Sequence, residues 1–303
     1  MSDNTEFRKE LEERTKQINE QIESYLPEEK GHQKTIFEAM NYSVKAGGKR
    51  LRPLFMQEIC RLFTGEVQPV VVPFMAAIEM IHTSSLVHDD LPCMDDDMMR
   101  RGQASTWAEY GEDMGVLAGD ALMIYAFEVA AKAFKEVSDA DDLKRVGRAI
   151  EILASKTGIY GMIGGQTVDV ELAGGPIPKN KLDFIYRLKT GALIEASMLI
   201  GAVLGGAAEE DCKIVESLAG KVGLAFQIQD DILDVTSTSE ALGKPVLSDE
   251  KNQKTTYVTL VGLEQAKKNV EEISARAVSL LKELPGNNAF LENLIAMLVE
   301  RKK

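Results

Sequence analysis

Cysteine is scarce in this chain: Cys60, Cys93 and Cys212 are the three in 303 residues, an odd number without metal-type spacing. Neither a disulfide framework nor a zinc site is suggested, and reduced thiols fit a cytoplasmic protein. Positive charge is also in deficit. With 35 basic against 48 acidic residues the net charge is −13, which argues against general binding to nucleic acid or to anionic membranes. Any anionic ligand must therefore be captured locally. The segment Met1 to Glu10 is polar and has no apolar signal core, and no uncharged apolar run approaches the length of a membrane span. The most membrane-like stretch, Ala196 to Ala208, is short and rich in Gly and Ala, and reads as a tightly packed buried helix with no stable membrane insertion. Also missing are a Ser-His-Asp or Cys-His arrangement and the GxxxxGK[ST] phosphate loop.

Alternating strand patterns are almost absent, and what takes their place is helical periodicity. Phe7, Leu11, Ile18, Ile22 and Leu26 recur at helical spacing before Pro27. The same pattern predicts helices over 35–45, 53–63, 73–88, 120–137, 141–156, 179–204, 211–234, 257–281 and 288–298. Gly47-Gly48, Gly174-Gly175-Pro176, Pro245 and Pro285-Gly286 punctuate them, with no repeat and no low-complexity linker. At 45% hydrophobic and 27% charged, the chain can bury a substantial core. The expectation is an all-α protein, a large antiparallel helical bundle around a central cavity, forming one domain over residues 1–303.

Two carboxylate clusters stand out. Asp89-Asp90-Leu91-Pro92-Cys93-Met94-Asp95 follows a mostly apolar helical run, and Asp230-Asp231-Ile232-Leu233-Asp234 lies within another. Closely packed carboxylates raise one another's pKa unless a cation neutralises them, and oxygen-only clusters suit a hard divalent ion. A rotation of about 100° per residue puts Gln227, Asp230 and Asp234 on one helical stripe with Asp231 to the side. Magnesium fits better than a di-iron pair, because no His lies near the second cluster. Two such clusters facing one cavity would hold a magnesium-bound polyphosphate. Cations are available to meet it: Gly47-Gly48-Lys49-Arg50-Leu51-Arg52-Pro53, Arg100-Arg101-Gly102, Lys189-Thr190-Gly191, Lys244 and Lys254.

In these motifs, together with Gly165-Gln166-x-x-Asp169, Gly243-Lys244 and Lys254-x-Thr256-Tyr257, the chain resembles the trans-prenyl diphosphate synthases almost end to end. The resemblance implies an isoprenoid synthase fold, usually homodimeric, acting on isopentenyl diphosphate and an allylic diphosphate. It implies that Asp89, Asp90, Asp95, Asp230 and Asp234 coordinate Mg²⁺, directly or through water. Arg100, Lys189, Thr190, Gln227, Lys244 and Lys254 would grip the allylic diphosphate, while Gly48, Lys49, Arg52, His82 and Arg101 would bind isopentenyl diphosphate. Gln166 and Asp169 would act from further out. The resemblance further implies that Asp89, Asp90, Asp230, Lys189 and Arg100 would carry the chemistry, in which the allylic carbon ionises, the second alkene attacks and a proton is lost.

In that family the residues four and five positions before the first Asp form the floor of the product pocket. Here they are Ser85 and Ser84, small side chains that lean towards a C20 over a C15 product. Two other functions would share the fold. A class I terpene cyclase normally mixes Asn, Ser or Thr with Glu in its second metal motif, and a non-catalytic regulatory subunit tends to have degraded Asp motifs. Both Asp motifs are intact in this sequence.

Overall fold

The computed structural model describes residues 2–236 and 255–300. Lys244 and Lys254 lie outside them. The chain divides into two compact units, residues 1–57 with 67–150, and residues 58–66 with 151–303.

In the first unit α1 (Ser2–Ser24), α2 (Lys34–Lys45), the first turns of α3 (Leu51–Thr64) and α4 (Val72–Asp89) are followed by a small hairpin, β1 (Met99–Arg100) and β2 (Gln103–Ala104). Next come α5 (Thr106–Tyr110), α6 (Glu112–Ala131) and the start of α7 (Ala140–Thr157). The stripe foreseen on α1 is real: Ile18 and Ile22 are fully buried and α1 packs on α4. The most extensive helix pairing in this unit is between α4 and α6. Phe55, Phe74, Met75, Ile78, Ile81 and Leu122 are completely enclosed, each worth roughly 1.5–3 kcal/mol of burial. One departure from expectation is that Pro69–Asp89 and Glu112–Lys135 are long and apolar enough by composition to cross a membrane. Of their apolar windows, 78% of the first and 39% of the second is buried inside the protein.

The second unit contains the ends of α3 and α7, then α8 (Met162–Glu171), α9 (Lys179–Ile185), a π-helical turn (Tyr186–Gly191), α10 (Ala192–Leu204) and α11 (Glu209–Thr236). After the undescribed residues come α12 (Tyr257–Val261), α13 (Leu263–Leu281) and α14 (Ala289–Glu300). Every residue of α10 is buried, as its almost wholly apolar sequence requires, with Glu195 paired to Lys156 at 2.7 Å and Ser197 donating to the Leu193 carbonyl. α11 packs on α10, α12, α13, α14 and the π turn. α12 opens with a capping box in which Thr256 and Thr259 exchange backbone and side-chain hydrogen bonds. Gly262, at φ 82°, breaks the helix predicted over 257–281 in two.

Candidate active site

Three residues other than glycine adopt positive φ among the described residues: Arg50 (49°), Asp96 (53°) and Arg101 (53°). Arg50 and Arg101 fall inside motifs singled out for chemistry and Asp96 directly follows another, and backbone held in sparsely populated regions concentrates at functional sites.

The first acidic motif ends α4 and turns into a loop. The long spacing between Asp90 and Asp95 is closed by that loop's hydrogen bonds. The Asp95 N–H donates to the Asp89 carbonyl at 2.9 Å, and the Asp97 N–H donates to that of Asp90 at 3.1 Å. Asp89 is half-buried, Asp95 is exposed, and Asp90 is only 1% exposed. Burial pushes the Asp90 carboxyl above its ordinary value, and Arg100 pulls the other way. Arg100 Nε donates to Asp90 Oδ1 at 2.9 Å and Oδ2 at 3.2 Å, with Nη2 also on Asp90 and on Asp97 Oδ2 at 3.2 Å. Burial works against its charge, but the Asp90 hydrogen bond and the nearby carboxylates hold Arg100 above its usual value, so it stays a cation.

Arg101 and Gly102, at φ 53° and 83°, form the two-residue turn of the hairpin, the conformation that a type I′ turn demands. Strand-and-turn geometry then separates the two arginines. Arg100 reaches the Asp90 carboxylate, whereas Arg101 Nη1 donates to the carbonyl of Gly47. Arg101 is thereby joined to the Gly47-Gly48-Lys49-Arg50 loop, in which Gly48 and Lys49 are exposed and Arg52 is half-buried. His82, two turns before Asp89 on α4, is half-buried. Desolvation, then Arg52, Arg101, Arg50 and Arg100, hold its pKa well below 6.5, so the imidazole is neutral at pH 7. The predicted group of Arg52, His82 and Arg101 is thus brought together electrostatically. A small cavity beside Asp90 and Arg101 is also lined by Tyr42, Thr83, Val87 and Ser105.

Sequence reasoning passed over Arg50 as a structural element. It is 2% exposed, with Nη1 on Glu79 Oε1 at 2.7 Å, Nε on Asn19 Oδ1 at 2.7 Å and Nη2 on the Val44 carbonyl at 2.8 Å. Glu79, equally buried, carried no local signal beyond being a charge in the apolar run that forms α4. Below the acidic motif, Ser84 is fully buried and donates to the Gly119 carbonyl of α6 at 2.7 Å, while Ser85 donates back to the His82 carbonyl at 2.8 Å.

In the second unit the π turn carries Lys189 and Thr190. Such wide turns, with i→i+5 hydrogen bonds, occur often at functional sites. Lys189 Nζ meets Asp169 Oδ2 of α8 at 2.6 Å, and Thr190 Oγ1 donates to Gln227 Oε1 of α11 at 2.8 Å. Two glycines let the turn approach this closely. A Cβ on Gly165 would stand 2.2 Å from the Lys189 nitrogen, and one on Gly223 would stand 3.0 Å from Gly191 Cα. On α11, Asp230 is half-buried and Asp234 is 3% exposed. Four of the predicted residues, Asp169, Lys189, Thr190 and Gln227, are therefore connected by direct contacts.

The sequence matches the family model described as polyprenyl synthetase over residues 33–285. The chain belongs to that family. Among the relatives of this polyprenyl synthetase is a chloroplastic geranylgeranyl pyrophosphate synthase of Catharanthus roseus. It is 43% identical over 255 residues, 84% of this chain and 70% of the relative. The farnesyl diphosphate synthase of Escherichia coli (strain K12) is 38% identical over 303 residues, covering 98% of this chain and 100% of the relative. Among solved structures, an FPP/GFPP synthase from Zymomonas mobilis superposes with a TM-score of 0.83 at 29% identity, covering 99% of both chains. A geranyltransferase from Legionella pneumophila gives 0.84 at 28% identity, covering 98% of both. The all-α architecture of this polyprenyl synthetase is the isoprenoid synthase fold.

Proposed function

We propose that this polyprenyl synthetase is a short-chain trans-prenyltransferase that condenses isopentenyl diphosphate with an allylic diphosphate and so builds a farnesyl or geranylgeranyl product. The observation that carries this reading is the named relatives, farnesyl and geranylgeranyl synthases matched over most of the chain. The local geometry of each unit supports it.

Mg²⁺ is the cofactor of this reading. Asp89, Asp90 and Asp95 in the first unit, and Asp230 and Asp234 in the second, are the residues that would hold it. Among the described residues no three carboxylate, His or Cys side chains are grouped as a metal site. The all-carboxylate chemistry of these donors is what suits Mg²⁺, a hard ion that keeps several waters and takes one or two carboxylates together with substrate phosphate oxygens. When bound, the metal offsets the charge that builds on the departing diphosphate.

The protein's own donors do the rest. Lys189, Thr190, Gln227, Arg100 and, outside the described residues, Lys244 and Lys254 are assigned to the allylic diphosphate. Gly48, Lys49, Arg52, His82 and Arg101 are assigned to isopentenyl diphosphate. Asp169 and Asp90 hold Lys189 and Arg100 in fixed positions before any substrate arrives, so little reorganisation is needed as charge develops. A neutral His82 offers a hydrogen bond without adding a further charge among the arginines. The small Ser84 and Ser85 favour the C20 product. A homodimer in the cytoplasm completes the proposal.

Purified protein incubated with Mg²⁺, isopentenyl diphosphate and dimethylallyl, geranyl or farnesyl diphosphate should give a longer prenyl diphosphate, and EDTA should abolish it. Absence of turnover with every primer overturns the reading. A C15 endpoint that leaves farnesyl diphosphate unconverted overturns the C20 preference alone.

A further inference from the structure

The middle carboxylate of the second acidic motif has no task in the reaction set out above. Asp231 is 4% exposed, and its Oδ2 accepts the Tyr186 phenol at 2.5 Å and the Tyr257 backbone N–H at 2.7 Å. The Tyr257 N–H also lies 3.2 Å from the Tyr186 oxygen, so three polar groups close a triangle. Each comes from a different element: Asp231 from α11, Tyr186 from the first position of the π turn, and Tyr257 from the first position of α12. Ile177, Ile185, Ile228, Ile232 and Val258 belong to the buried cluster that contains both tyrosines. Hydrogen bonds to an ionised carboxylate are strong, and low-polarity surroundings strengthen them further.

We infer that Asp231 is a positioning residue, a latch that fixes the π turn and the start of α12 to the metal-motif helix, and that it is not a metal ligand. The reason lies in what holds it. Helical rotation alone does not set Asp231 apart, since it stands about 40° from Gln227 and about 60° from Asp234. Its Oδ2, however, is taken by a buried phenol and by a backbone N–H, donors that cannot swing aside as the half-buried Arg100 side chain on Asp90 can. The latch holds Tyr186, the residue from which the widened turn runs to Gly191 and on which Lys189 and Thr190 are carried. Relaxation of that turn to an ordinary α-helix removes one residue from its register and rotates Lys189 and Thr190 by about 100° relative to α10. The inference rests on the assignment of Lys189 and Thr190 to the allylic diphosphate.

The test uses the full-length protein with Tyr186→Phe, Asp231→Asn and the double variant, beside Asp230→Asn. Steady-state kinetics should show KM for the allylic diphosphate raised about tenfold in either single variant. KM for isopentenyl diphosphate and the Mg²⁺ half-saturation should stay unchanged. The double variant should be no worse than the worse single, because both remove one interaction. Calorimetric titration with inorganic pyrophosphate at saturating Mg²⁺ should weaken by the same factor. Asp231→Asn raising the Mg²⁺ half-saturation as Asp230→Asn does, with Tyr186→Phe silent, overturns the latch in favour of a metal ligand. Additive effects of the two singles also overturn it. If the unaltered protein turns over no primer, it is the proposed function that falls, and the pyrophosphate titration of the same variants still decides the latch. Tyr186→Phe removes a single hydroxyl, so it keeps the test open should Asp231→Asn fail to fold.

Discussion

Replacing Glu79 with Leu should be among the most damaging single changes in the first unit. The Arg50 and Glu79 side chains are 1% and 2% exposed, with Nη1 and Oε1 2.7 Å apart. Removing the carboxylate leaves a buried guanidinium with only two neutral acceptors, Asn19 Oδ1 and the Val44 carbonyl. Breaking one side of a buried pair costs roughly 3–5 kcal/mol, whereas replacing both partners by apolar groups of similar volume is often close to neutral. Here the double replacement, Arg50→Met with Glu79→Leu, also strips Asn19 and Val44 of a donor, about 1–3 kcal/mol for each acceptor left unpaired. The double variant should therefore lose less than the two single changes added together, yet remain less stable than the unaltered protein. Urea unfolding at pH 7, followed by circular dichroism, measures the series. Lys144→Ala serves as the control: its pair with Asp141 is 77% and 76% exposed, and no measurable change is expected. A loss below about 1 kcal/mol for Glu79→Leu, or a double variant that loses the sum of the singles, refutes the reasoning.

Ser84→Phe should shorten the product, because a ring at this fully buried position must either enter the space beneath the acidic motif or push α4 from α6. Chromatography of the products decides it, and an unchanged chain length places the floor elsewhere; overpacking should add a stability loss of about 1–3 kcal/mol. His82 predicts a pH effect. Its folded pKa lies well below 6.5, so under acid the unfolded chain binds the proton that the folded one refuses. Stability is then complete above about pH 7 and falls as pH drops from 6.5 towards the folded value, with a slope approaching about 1.4 kcal/mol per pH unit. His82→Gln should remove that slope in urea titrations between pH 7 and 5; an identical slope in the variant refutes the assignment. Lys189→Ala should lower kcat/KM for the allylic substrate by about ten- to a hundredfold through a lost charged hydrogen bond, and an unchanged value removes Lys189 from the site.

The long helices were legible because burial on one face writes a 3.6-residue period into the sequence, as with Ile18 and Ile22 of α1, and burial all round erases it, as in α10. Where glycine decided a boundary, the end moved, by eight residues in the clearest case. Gly111, at φ 97°, starts α6 at Glu112, although periodicity suggested 120. The hairpin was not legible, since two residues per strand are too few to alternate and Arg-Gly is not a common type I′ pair. The π turn hid within a continuous helical pattern, because one extra residue in six does not shift the periodicity visibly. The sequence brought out Lys189, Thr190 and Gln227 as types, but could not show that Thr190 and Gln227 touch across 37 positions. Nor could it pair Arg50 with Glu79, 29 positions apart. The separate task of Asp231 was not legible either, because its partners Tyr186 and Tyr257 stand 45 and 26 positions away.

The hairpin makes the Arg100-Arg101 doublet a matter of parity. Adjacent residues there are sent to opposite destinations, one to Asp90 and the other to the Gly47 carbonyl. Single substitutions can therefore tune either destination separately, but the insertion or loss of one residue before Gly102 would exchange both at once. Evolution can revise the letters of this dipeptide far more freely than its length. Shape and charge at position 101 are also separable, since asparagine tolerates the left-handed backbone while carrying no charge.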